Sequence, residues 1–171
     1  MMKNKVSRAH RLGTLHIVLG VYSFLFLAAC LIIALTGSSW IPQDTEGFEG
    51  LGYAFGLVFF IIFGSIGYGM VGTVNAIICL VHGVRLRRAT EQKEVGRRSL
   101  MACLVCKLVA LIVAVATCIL CTSMLAEVNL GVALLHTALA LVGIVLTVIA
   151  CVKEIHLWRL PSEETVAEEN R

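Results

Sequence analysis

Lys107 is the residue with the most to explain, because its ammonium group stands inside the apolar run from Ser99 to Met124. About eight residues separate it from the basic end of that run, ~12 Å at the rise of an α-helix. In hydrocarbon such a charge costs ~3 kcal/mol or more, so it needs a partner, water, or headgroups within reach of its flexible stem. Asn75 stands at a comparable depth in the second apolar run, and His16 lies nearer the same end of the first. Meeting inside a bundle, the three could hold an anion or a headgroup phosphate at Lys107, or simply hydrogen-bond the helices together. His136 falls in the opposite half of the last run, too far along its helix to join them, and reads as a satisfied packing residue.

The second set of reactive groups is the seven cysteines, Cys30, Cys79, Cys103, Cys106, Cys118, Cys121 and Cys151, each in or at the edge of an apolar run. Two CxxC pairs, Cys103/Cys106 and Cys118/Cys121, lie in the third run. At ~100° per residue all four share roughly a third of the helix circumference, on the side that carries Lys107. The outer pair reads Cys118-Ile119-Leu120-Cys121, which resembles the membrane-embedded redox pair of the vitamin K epoxide reductase family of small helical membrane enzymes. The resemblance covers those four residues and implies thiol–disulfide exchange at Cys118 and Cys121. That family's second cysteine pair has no counterpart in the outer loop here, and a further apolar run follows the motif.

No metal site is expected from the two pairs, which stand about fifteen residues apart on one straight helix and cannot supply four convergent ligands to one ion. Cys79, Cys103 and Cys151 lie within a few residues of the basic ends and are candidates for S-acylation. Leu27-Ala28-Ala29-Cys30 has the letters of a bacterial lipobox, but Leu31-Ile32-Ile33 continues the apolar run where a lipoprotein turns polar. Cys30 therefore reads as a small apolar residue. With no cysteine in the long outer loop and no Asn-x-Ser/Thr acceptor, neither a disulfide framework nor a glycosylated outer domain is expected.

The elements that must position these groups follow from the apolar runs. Hydrophobic residues make up 58% of the 171-residue chain and charged ones 15%, a balance outside that of soluble domains. The expected fold is an all-α integral membrane four-helix bundle with spans over 12–36, 51–82, 99–124 and 131–152, each long enough for the ~20 residues that cross ~30 Å of hydrocarbon. Residues 1–11 form a basic cytoplasmic N-terminus, 12–160 the bundle, and 161–171 an acidic cytoplasmic tail too polar to fold alone. The first run is longer than the ~7–15 apolar residues of a signal peptide and reads as an uncleaved helix. Gly37, Ser38, Ser39 and Pro42 end it, with Trp40 at headgroup level and Trp158 matching it on the inner side.

Charge placement predicts the orientation. Lys3, Lys5, Arg8 and Arg11 precede the first run, Arg85, Arg87, Arg88, Lys93, Arg97 and Arg98 lie between the second and third, and Lys153, Arg159 and Arg171 follow the fourth. The other two loops hold only acids, Asp44, Glu46 and Glu49 in one and Glu127 in the other. Lys and Arg collect on the cytoplasmic side, so both termini and the middle loop face inward. Arg87/Glu91 and Glu94/Arg98, each four apart, suit a helical connector at the membrane surface. The basic cluster could also attract anionic lipid. A short turn around Glu127 and Asn129 makes the last two helices an antiparallel hairpin.

The second run is rich in small residues: Gly52 and Gly56 form a GxxxG, and Gly64, Gly67, Gly69 and Gly72 recur with Ser65, Thr73 and Ala76. Small residues let backbones approach closely in lipid, within the chain or between copies. The long second run must also tilt or bend, and its glycines allow bending. No phosphate-binding loop, dinucleotide fingerprint, zinc-protease helix or hydrolase elbow occurs. The leading expectation is a non-enzymatic multi-pass membrane protein, with no cofactor and no nucleic-acid partner. It would act as a scaffold, subunit or regulator by helix association with a membrane partner or a second copy, in a membrane the sequence does not specify. The alternative is a small channel or transporter subunit with a polar path around Lys107 and Asn75.

Overall fold

The computed structural model describes residues 2–40, 48–88 and 97–159. They form α1 (Met2–Thr36), a 3₁₀ turn (Gly37–Trp40), α2 (Phe48–Gly64), a π-helical stretch (Ser65–Gly72), α3 (Thr73–Arg87), α4 (Arg97–Val128) and α5 (Leu130–Trp158). There is no strand among the described residues. Because α2, the π stretch and α3 are continuous, the architecture is four long helices, each long and apolar enough to cross a membrane: Val6–Thr36, Gly50–Arg87, Arg98–Val128 and Leu130–Trp158.

Three of the four helices run several residues past the expected spans at the basic end of the bundle, and the third runs past at its far end. Charge ends a hydrocarbon span but not a helix, since Arg, Lys and Glu are good helix formers. The four-apart pairs of the connector involve Glu91 and Glu94, which lie outside the described residues, as do Pro42 and the acidic tail. Asn129 alone breaks the last hairpin. In extended conformation, it accepts a hydrogen bond from the Val132 N–H at 3.1 Å and so caps α5.

Side chains such as Leu35, Phe55, Met70, Ile112 and Leu134 are exposed around the outside, while polar side chains collect inside. This is the reverse of a soluble bundle and suits a multi-pass membrane protein. The core is layered. At the basic end Ala9, Leu12, Leu86, Leu100 and Leu157 pack together; next come Leu19, Cys79 and Ala150; towards the far end Cys30, Ile33, Phe60, Tyr68, Cys121, Leu125 and Ala133 form the largest cluster.

The second long helix changes neighbours along its length. Its first half, α2, packs on α4, and its second half, α3, packs on α1. The π stretch lies at the changeover, where a wider turn resets which face looks inward. Close approach by glycine occurs at both contacts. A Cβ on Gly67 would fall 2.0 Å from the Thr117 hydroxyl oxygen, and one on Gly56 3.0 Å from the Met124 carbonyl. Gly52 and Gly64 have open space within 4 Å, while Gly69 and Gly72 would meet only carbonyls of their own helix. Of the six glycines singled out in the sequence, Gly56 and Gly67 thus set an internal contact. The closest approach to backbone involves two others: a Cβ on Gly13 would lie 2.7 Å from the Gly83 carbonyl oxygen, and one on Gly83 2.8 Å from the Gly13 carbonyl oxygen.

Candidate functional site: a buried charge cluster

Lys107 is fully buried, and the partner that answers its charge is Glu154. Its ammonium donates to Glu154 Oε2 at 2.5 Å and also to His16 Nε2. His16 Nδ1 is 2.8 Å from the Leu12 carbonyl oxygen. A carbonyl only accepts, so Nδ1 carries the proton and Nε2 presents its lone pair to Lys107. His82 completes the group: its Nε2 is 3.5 Å from Glu154 Oε1, and its ring meets that of His16 edge to face at 5.4 Å. Neither His82 Nε2 nor Glu154 Oε1 has a hydrogen-bond partner. Every member of the tetrad is buried, and each long helix contributes one: α1 His16, α3 His82, α4 Lys107 and α5 Glu154.

Helix geometry explains why the four side chains converge. On α5 the buried residues His136, Ala140, Thr147, Ala150, Cys151, Glu154 and Leu157 follow the three-and-four spacing of one face. Lys153, about 100° away, is exposed while Glu154 is buried. The leucines of the basic-end layer then separate the tetrad from the arginines beyond them. With its net charge neutralised by the Lys107–Glu154 pair, the tetrad is a compact polar island within apolar layers.

Asn75 does not join this group. It accepts from the Cys79 thiol at 3.9 Å and lines a cavity of about 80 Å³ with Tyr22, Ser23, Tyr68 and Thr147. Ala110, Ala114, Ala140 and Gly143 leave the space for that cavity. Beyond it lies a second polar cluster. His136 Nδ1 is 3.3 Å from the Thr122 hydroxyl, which is 2.8 Å from that of Thr137. His136 packs with Phe26, Phe60 and Tyr68. Its Nε2 and the Tyr68 hydroxyl are buried without partners, so His136 is a packing residue only half satisfied. The bundle axis is therefore polar on both sides of a small cavity.

The cysteines are free thiols. Cys118 and Cys121 are buried, Cys121 in the cluster with Tyr68 and Cys30. Cys79, Cys103 and Cys151, the candidates for acylation, point into the core, whereas Cys106 is exposed. At the basic mouth Arg8, Arg11, Lys153 and His156 line a cleft of about 210 Å³, where an Arg8 guanidinium N–H donates to His156 Nε2 at 2.8 Å.

Sequence reasoning missed Glu154 and His82. Both sit outside or at the very edge of the expected spans, yet the spacing of Glu154 from Ala140, Thr147 and Ala150 on the small-residue face of α5 was a usable signal. No protein-family model matches the chain, and neither a curated protein nor a solved structure matches it.

Proposed function

We propose that this chain is a multi-pass membrane protein with both termini in the cytoplasm, and that it carries a small cationic solute through a site occluded at the Lys107–Glu154–His16–His82 tetrad. The orientation is supported by the charges. Arg8 and Arg11 of α1, Arg85 and Arg87 of α3, Arg98 of α4 and Lys153 of α5 belong to the helix ends that meet in one leucine layer, and such ends face the cytoplasm. The cleft at Arg8, Arg11, Lys153 and His156 would there meet anionic headgroups.

The observation that carries the transport reading is the full burial of an acid, a lysine and two histidines, one from each spanning helix. A bundle that only needs to pack does so more cheaply with apolar residues of similar volume, and ionisable groups held at such depth mark solute or proton pathways. The cavity at Asn75 and the cluster at His136 extend polar groups along the same axis, and the leucine layer acts as the closed inner gate. No enzyme chemistry is involved in this reading. The test is flux of protons, alkali cations and divalent cations in vesicles reconstituted with the purified chain. Flux of at least one of these should exceed that of protein-free vesicles and fall to their level in Glu154→Gln; vesicles indistinguishable from protein-free ones for all of them would sink the reading.

A second reading, a scaffold or subunit acting through a partner helix, is favoured by the open space over Gly52 and Gly64 on α2. It predicts that Gly52→Leu and Gly64→Leu abolish crosslinking to a second copy or a membrane partner while leaving unfolding temperature unchanged. Crosslinks that persist in both variants would count against it.

A further inference from the structure

The geometry points to a binding site for one divalent, borderline-soft metal ion, of the Zn(II), Co(II) or Cu(II) class, at His16, Cys103, Glu154 and His82, with Lys107 as a tethered cation that holds the site in the ion's absence. The inference names a substrate class for the transport reading and rests on its view of the tetrad as a binding place.

Three donor atoms, from His16, Cys103 and Glu154, all lie within 4.8 Å of one another, and all three residues are buried. Ligands around a tetrahedral zinc-type ion stand ~3.3–3.8 Å apart, so a contraction of about 1 Å closes the set. A fourth donor is at hand, since His82 Nε2 lies 3.5 Å from Glu154 Oε1. His82 Nε2 and Glu154 Oε1 face each other at 3.5 Å and are the two buried polar atoms of the cluster without hydrogen bonds, so both have a lone pair to offer a metal. His16 is arranged as metal-bound histidines are, with one ring nitrogen bonded to a backbone carbonyl, which fixes the ring and its tautomer, and the other presenting its lone pair inward.

The donor chemistry selects the class. A thiolate and two imidazoles favour zinc, cobalt or copper over magnesium or calcium, which take oxygen ligands. A Cys103 thiolate and the Glu154 carboxylate together match a double positive charge. Lys107 bonds two of the same ligands, His16 and Glu154, so its ammonium and the ion compete for one place and the ammonium must swing away when the ion enters. The two CxxC pairs play no part as pairs. Only Cys103 takes part, because the core places it beside residues from three other helices.

The experiment is titration of the purified, chelator-stripped full chain in detergent with Co(II), followed by its absorption spectrum, and with Zn(II), followed by thermal unfolding. Expected are about one Co(II) per chain, the intense visible bands of tetrahedral cobalt and a thiolate-to-cobalt charge-transfer band, together with a Zn(II)-induced rise in unfolding temperature. Cys103→Ser should lose the charge-transfer band. Lys107→Met should bind at least about tenfold more tightly, because a like charge leaves the site, whereas a purely structural lysine would give unchanged or weaker binding on removal. The inference is overturned by absence of the cobalt bands in the unaltered chain, by a charge-transfer band that survives Cys103→Ser, or by unchanged or weaker binding in Lys107→Met. Bound metal without flux in vesicles would sink the transport reading and leave the site; flux of other cations with no metal bound would do the opposite.

Discussion

Lys107→Met, measured with metal chelated, is expected to lower stability by ~3–5 kcal/mol, read from SDS or thermal unfolding in detergent. Methionine nearly matches the lysine stem in volume, so packing changes little. What changes is that the Glu154 carboxylate, fully buried, loses the cation 2.5 Å from its Oε2. Lys107→Met combined with Glu154→Gln removes both charges and should return to within ~1–2 kcal/mol of the unaltered chain, because a neutral pair carries no comparable desolvation cost. The two substitutions must therefore be strongly non-additive. A loss below ~1 kcal/mol in Lys107→Met would mean that the pair is solvated, as a surface pair is, and that the occluded site proposed above is open.

The second large effect is expected at the crossing of α1 and α3. Gly83→Val should cost ~3 kcal/mol, the upper end of the overpacking range, because the new Cβ would sit 2.8 Å from the Gly13 carbonyl oxygen. That atom belongs to backbone and cannot rotate away; relief requires separating two helices that pack along much of their length. The same separation would pull His16 and His82 apart, so metal binding and flux should fall with stability. Gly52→Ala supplies the control. Its Cβ meets nothing within 4 Å, and Ala in a helix is favoured over Gly by up to ~1 kcal/mol, so stability should hold or rise slightly. Equal losses in the two variants would refute the close approach.

A polar island with leucines at one end and Leu19, Cys79 and Ala150 at the other is stable only while its charges cancel. It can exchange one cation for another only if some element yields. The π stretch of the second long helix, beside the cavity and between its two packing partners, is the place where the main-chain ladder is already altered.

The chain's composition and the lengths of its apolar runs determined four long helices, because each run satisfies its own backbone and its length is set locally. The short turn at Asn129 is legible for the same reason, as a capping side chain acts over a few residues. Lys107 stood out as a charge out of place, yet its partner did not. Glu154 is four residues before Trp158, the last residue of its helix, beside the exposed Lys153, and by sequence it reads as one more charge at an interface. Only the rotation of α5 about its axis, set by packing against α1 and α4, decides that Glu154 turns inward and Lys153 outward. His82 belongs to the same class, and Cys103, conspicuous in the sequence only as half of a CxxC pair, joins His16 because four helix faces converge there. Asn75 fails for a different reason: it lies on the same inward face of its helix as Cys79 and His82, but two turns, ~10 Å, further along, so it lines the cavity and not the tetrad. Sequence encodes depth only to within a turn or two, because tilt and helix ends shift each run, and azimuth depends on every neighbouring helix at once; the site needs both.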